Sequence, residues 1–189
     1  MNSITGPVPL TLACHPQTPS QAIREIDVLV GEAKNGSLML SFSLVGDISG
    51  LRIPESRSSR RVDHLWRHTC FEAFVMAVEG PEYREFNFSP SGEWEVYDFR
   101  AYRNARMQER GLENELSPGI KVHRTMDRLE LGAEIYQGLL PHGRPLRLGL
   151  SAVVEDAGGK LFYWALRHPP GKPDFHHTDA FALQMRSAE

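Results

Sequence analysis

Three side chains suited to holding hydroxyl groups, Glu72, Glu85 and Asn87, fall within two neighbouring segments, Leu65 to Val75 (LWRHTCFEAFV) and Tyr83 to Phe99 (YREFNFSPSGEWEVYDF). Pairing the first hairpin symmetrically about Gly80 and Pro81 sets Glu72 opposite Ser89, Phe74 opposite Asn87 and Met76 opposite Glu85, with all of them on one sheet face. The following hairpin has two registers. One matches Phe88 with Trp94, Phe86 with Val96 and Arg84 with Asp98, an opposite-charge pair, and stands Tyr97 beside Glu85; a one-residue slip brings Asp98 and Arg100 there instead. Carboxylates and an amide beside an aromatic ring suit saccharide recognition. Hydroxyls need fixed planar partners, and the C–H face of a sugar needs a platform such as the nearby Trp66. The same pattern also describes the solvated polar face of an antiparallel sheet, with tryptophans in the core.

Other chemistry is less well supplied. Among eight histidines, His64 with His68, and His176 with His177, could begin a metal site, yet their spacing matches no standard zinc pattern. Haem could be held only noncovalently, through Met76 or Met107 and a histidine, because no Cys-x-x-Cys-His occurs. Glu72 and Glu85 could form a glycosidase pair only at a separation the sequence does not fix. No Gly-x-Ser-x-Gly, phosphate loop or dinucleotide fingerprint is present, and a binding module is expected rather than an enzyme. No cofactor is expected; the alternative is haem or a metal ion.

The elements that must position these residues read as strands. Leu38, Leu40, Phe42 and Leu44 alternate with polar or exposed-type residues, and the alternation recurs around Phe86 and Phe88, from Leu129 to Ile135, and from Leu148 to Val154. Ile26 to Ala33 and Leu38 to Val45 flank Lys34-Asn35-Gly36-Ser37, a hairpin in which Asn-Gly suits a turn with two positive φ angles. Further turn signals separate the other segments. The expectation is an all-β, antiparallel, jelly-roll-like sandwich of two sheets with Phe42, Phe86, Phe88, Leu131 and Leu150 in its core. One or two short peripheral helices are expected, at Ser20 to Glu25 and Arg100 to Leu116. Trp164 has apolar neighbours on both strand faces, which favours burial.

At 189 residues, residues 1–189 are expected to form one domain. A composition of 41% hydrophobic and 24% charged residues excludes disordered or fibrous classes, and a net charge of −3 supplies no general field for nucleic acid. No apolar run approaches the roughly 20 residues of a membrane helix. Cys14 and Cys70 are too few for a disulfide framework and are expected to stay reduced. The stretch before Cys14 lacks the basic start of a signal, so the expected address is cytoplasmic.

The segments LWRHTCFEAFV, EFNFSPSGEWEVYDF and FYWALRHPPGKPDFHHTDAFAL resemble the bacterial DOMON-like proteins related to family 9 carbohydrate-binding modules, over most of Leu10 to Leu183. The resemblance implies a two-sheet sandwich with a ligand site on one sheet, used for sugars in some relatives and haem in others. In the sugar-binding relatives a Trp six residues before a Glu contributes to the site, a spacing matched here by Trp66 and Glu72; Trp164 is a second wall under the same resemblance. Where those relatives place acidic residues just before the strand, this chain has His68-Thr69-Cys70. The expected partner is a saccharide or similar polyhydroxy ligand.

Overall fold

The computed structural model describes residues 7–106, 117–141 and 145–185. Twelve strands follow in order: β1 (Val8–Cys14), β2 (Ile23–Glu32), β3 (Leu38–Gly46), β4 (Cys70–Ala77), β5 (Tyr83–Phe88), β6 (Trp94–Ala101), β7 (Asn104–Ala105), β8 (Gly119–Arg124), β9 (Arg128–Ile135), β10 (Leu146–Glu155), β11 (Leu161–Ala165) and β12 (Leu183–Met185). They form two antiparallel layers. One runs β1-β2-β3-β9-β8 and the other β7-β6-β5-β4-β10-β11, with β12 added to the start of β10. Strand β1 joins the layers: Val8 to Leu12 pair with β2, whereas Ala13 and Cys14 pair with β11.

The period of two explains this arrangement. Phe42, Leu131, Phe86, Phe88 and Leu150 are all buried in the core between the layers, where the Phe42 and Phe71 rings meet at 5.0 Å across it. Met39 and Ser41, at odd positions of β3, are exposed. The two thiols are free, and they sit on β1 and β4 with β11 and β10 between. Three strand spacings, about 14 Å, far exceed the reach of a disulfide.

Four expectations about the elements need correction. The β2–β3 turn has one positive φ, at Gly36 (76°), and none at Asn35. Ala33 C=O accepts from Gly36 N–H at 2.9 Å, Ala33 N–H donates to Ser37 C=O at 2.9 Å, and Asn35 Oδ1 accepts from Ser37 N–H at 3.0 Å. This is a three-residue loop closed by a glycine bulge, which absorbs the strand twist with a single left-handed residue. Next, Ser20 to Glu25 is not helical, because Ile23 onward is β2, drawn into the sheet by Ile23 and Ile26 of the core. Arg100 to Ala105 is likewise strand and turn, while 107–116 of that expected helix lie outside the described residues. The helical pieces described are four 3-10 turns.

The last correction is to the β4–β5 register, which is offset by two residues: Glu72 pairs with Asn87, Phe74 with Glu85 and Met76 with Tyr83. The loop is longer than a tight turn because Val78 N–H bonds instead to Pro145 C=O at 3.0 Å, at the end of β10. An even offset preserves the faces, so Glu72, Glu85 and Asn87 remain together.

Strand β3 offers a direct test of this alternation. Phe42→Ala should cost about 3–5 kcal/mol through lost burial and cavity formation, whereas Met39→Ala on the same strand should change stability by only about 0.5 kcal/mol. Urea unfolding of both variants reads the difference.

Candidate functional site

The outer face of the second layer carries Glu72 on β4, Glu85 and Asn87 on β5, Tyr97 on β6, Ser151 on β10 and Tyr163 on β11. It is not a solvated polar face. Glu72 is 2% exposed, Glu85 5% and Asn87 0%. Two chain segments cross the sheet and cover them.

The first crossing runs from Asp63 to Thr69. Before it, Trp94 N–H donates to Arg60 C=O at 3.1 Å and Val62 N–H to Trp94 C=O at 2.9 Å, which fastens the loop along the edge of β6. Arg61 is ion-paired with Glu95. The Tyr97 hydroxyl donates to Asp63 and accepts from His64 N–H at 3.2 Å, and His64 turns the chain with φ 63°. A 3-10 turn, Leu65–Arg67, then packs against β4 and β5 with Leu65 buried and Trp66 42% exposed. The Arg67 guanidinium lies 5.2 Å from the Trp66 ring centre. At the far end Glu155 holds both Arg52 and His68 at 2.7 Å, and the Thr69 hydroxyl donates to Arg52 C=O at 2.8 Å while accepting from Glu155 N–H at 3.0 Å.

The second crossing runs from His168 to Phe181. His168 Nε2 meets Ala13 C=O at 2.8 Å. Phe175 and Phe181 join Phe74, Tyr83 and Phe99 in an aromatic cluster that also receives the His176 ring, 5.0 Å from Phe99 and 5.2 Å from Phe74. Arg147 bonds the Thr178 and Phe181 carbonyls at 2.9 and 3.1 Å, and Arg103 pairs with Asp174 at 2.9 Å. The strap is thereby fixed to β4, β5, β6 and β10.

Between the crossings the polar floor is internally bonded. Ser151 O–H donates to Glu72 Oε2 at 2.9 Å, Asn87 Nδ2 donates to Glu85 Oε1 at 2.7 Å, and the Cys70 thiol approaches Asn87 Oδ1 at 3.5 Å. Burial, with mutual repulsion, holds Glu72 well above the usual carboxylate range, and burial raises Glu85 likewise against the Asn87 hydrogen bond. Burial also lifts Cys70, Tyr163 and Tyr97, with Glu72 adding to the shift of Cys70 and Tyr163 and Asp63 to that of Tyr97. His176 is pushed down to about 4, by burial first and then by Arg103. The Tyr83 hydroxyl accepts from Arg103 N–H at 3.1 Å and meets His176 Nδ1 at 2.9 Å, and the other ring nitrogen, Nε2, lies 3.7 Å from Glu85 Oε2.

The β5–β6 register settles which neighbours Glu85 has: Arg84 pairs with Asp98, ion-paired at 2.5 Å, and Glu85 with Tyr97. Arg100 is therefore not on this face; it is the exposed extra residue where the β6–β7 register shifts. Trp164 is not a wall of the site either. Its strand parity, opposite Ala152, turns it into the core between the layers. Nor do the histidines converge on a metal: His68 serves Glu155, His176 serves Tyr83, His177 caps a 3-10 turn and His64 sits beside Asp63. No group of three or more possible ligands occurs among the described residues. Met76 packs in the aromatic cluster, and Met107 lies outside the described residues. The sequence reading missed Ser151, Tyr163 and the strap position of His176. Ser151 had the right strand parity, but its neighbour β4 is distant in sequence.

No family profile and no curated protein sequence matches the chain. Solved structures do. A protein from Bacteroides uniformis described as a proposed carbohydrate-binding protein superposes with a TM-score of 0.69 at 12% identity, over 96% of this chain and 86% of that one. A family 9 carbohydrate-binding module from Caldicellulosiruptor kristjanssonii in complex with glucose superposes with a TM-score of 0.52 at 11% identity, over 89% and 78%. These similarities show a shared fold: the chain has the β-sandwich architecture of carbohydrate-binding modules of this kind.

The buried carboxyl pair has a thermodynamic consequence. Because both folded-state pKa values are raised, the pair contributes no penalty at low pH, and stability is lost as pH rises through those values. The opposite contribution of His176, whose folded pKa is lowered, is lost as pH falls below the ordinary histidine value. Between pH 6.5 and 9 the unfolding free energy should therefore decrease in the wild type, and Glu72→Gln should flatten the decrease. Chemical denaturation across that range checks both.

Proposed function

We propose that the protein is a noncatalytic saccharide-binding module of the DOMON-like, family 9 kind, with its site on the outer face of the β4–β5–β6–β10–β11 layer. The observation that carries the reading is Trp66. Its ring is half exposed on a crossing segment tied to the same sheet face as the buried carboxyl and amide groups of Glu72, Glu85 and Asn87. An indole supplies a flat apolar surface for the C–H face of a sugar ring, and fixed carboxyl, amide and tyrosine groups supply directional partners for hydroxyls. The floor is dry, so each such hydrogen bond is stronger than it would be in water.

The fold shared with a module crystallised with glucose supports a saccharide, and it supports binding over turnover. Ser151 and Asn87 each hold one oxygen of Glu72 and Glu85, which fixes the orientation of both carboxyl groups. A cytoplasmic address is part of the same proposal, since two thiols too far apart to bridge suit a reducing compartment.

Calorimetry against a panel of mono- and oligosaccharides tests the reading. At least one saccharide should bind, with affinity reduced tenfold or more in Trp66→Ala and in Glu72→Ala while circular dichroism shows the sheet intact. Loss of one charge-assisted hydrogen bond, about 1.5–3 kcal/mol, corresponds to roughly that factor. Absence of binding across the panel, or binding indifferent to both substitutions, would overturn it.

A further inference from the structure

We propose that the outer face of the β1-β2-β3-β9-β8 layer carries a second saccharide site, on the opposite side of the sandwich from Trp66 and independent of it. A cavity of about 380 Å³ opens there, within the range of small-molecule sites. The strand pairing explains its shape. One rung across the sheet reads Leu29, Ser41, Gly132 and Lys121. The next reads Gly31, Met39, Glu134 and Gly119. Small residues in the middle of one rung and at both ends of the other leave a trough between larger side chains, and Tyr136 and Pro7 add to its walls.

The chemistry of those walls selects the ligand. Leu29, Met39 and Tyr136 are exposed, so a ring and two aliphatic side chains around one cavity offer a surface for C–H groups. The side chains of Ser41, Lys121 and Glu134 make no hydrogen bond or ion pair among the described residues. A wholly apolar ligand would strip water from these three groups and return nothing. An anion would meet Glu134 and a cation would meet Lys121, whose charges cancel. A neutral polyhydroxy compound satisfies every wall: its hydroxyls accept from the ammonium, donate to the carboxylate and do either with the serine, while its C–H face lies on Tyr136.

The two glycines within strands support the same reading. A Cβ at Gly132 would meet nothing nearer than Lys121 C=O at 3.9 Å, and one at Gly31 nothing nearer than Pro7 at 3.8 Å. Neither residue has a positive φ, and the ladder passes both without a shift of register. Glycine inside a strand weakens it, and it often marks a bulge or a close approach by another backbone or a ligand. The register excludes a bulge and the open space excludes a second backbone. A ligand lying close to the sheet accounts for both positions.

Calorimetry on the whole chain tests the second site, with a panel of mono- and disaccharides that includes glucose, cellobiose and maltose. The wild type should take up two molecules of at least one probe. Gly132→Val fills the trough with a side chain suited to a strand, so thermal stability should stay level or rise while uptake falls to one molecule. Tyr136→Ala should weaken the same site roughly tenfold or more. The molecule still bound by the Gly132→Val variant should be the one lost in Trp66→Ala. A single molecule, lost in Trp66→Ala and untouched by Gly132→Val, would overturn the second site and leave the Trp66 reading standing. A single molecule, lost in Gly132→Val and untouched by Trp66→Ala, would support the trough and overturn the Trp66 reading. No uptake of any probe, or uptake indifferent to both substitutions, would overturn both.

Discussion

The constraint on which the rest of this structure depends is the burial of two carboxyl groups on the outside of a sheet. The inner face of the same layer is an ordinary core of phenylalanine, leucine and valine, held by hydrophobic burial alone. The outer face would be open to water in a bare antiparallel sandwich. Here Glu72, Glu85 and Asn87 are dry because two connecting segments, fastened at many points, lie over them. Removing water from a carboxylate is expensive; the cost shows as the raised pKa of both groups and is offset in part by the Ser151 and Asn87 hydrogen bonds.

The two crossings are held by different physics. The strap from His168 to Phe181 gains from apolar burial, with two phenylalanines seated among Phe74, Tyr83 and Phe99, in addition to its Arg147 and Arg103 contacts. The segment from Asp63 to Thr69 is polar. It hangs on Tyr97 at one end and on Glu155 at the other, and it leaves Trp66 facing solvent. A rigid wall thus opposes a rim whose ring is open to contact. That asymmetry places any adaptable motion on the Trp66 side, where fewer apolar groups are buried.

Local alternation made the core legible in the sequence: Phe42, Phe86, Phe88, Leu131 and Leu150 each belong to a run of period two, and each faces inward. The β5–β6 register was legible because Arg84 and Asp98 pair in only one alignment. The β4–β5 register was not, since the pull on Val78 comes from Pro145, on a strand end some seventy residues away. The same distance hid Ser151, which reaches Glu72 only through the β10–β4 pairing. His176 was visible as a histidine beside prolines, but nothing local says that its loop folds back over the sheet. Whether a polar face is wet or dry is decided by such returning segments, and no period in the sequence reports it.

A buried pair whose pKa values are both raised has a property a solvated pair lacks. A protonated carboxyl donates as well as accepts, and its ionised neighbour only accepts, so together they offer both polarities within one small area. A sugar hydroxyl is itself both donor and acceptor. The Ser151 and Asn87 hydrogen bonds fix one oxygen of each carboxyl, and the charge of Arg103, although paired with Asp174, partly offsets the upward shift of Glu85. The salt bridges around the site stabilise little by themselves at the exposed ends.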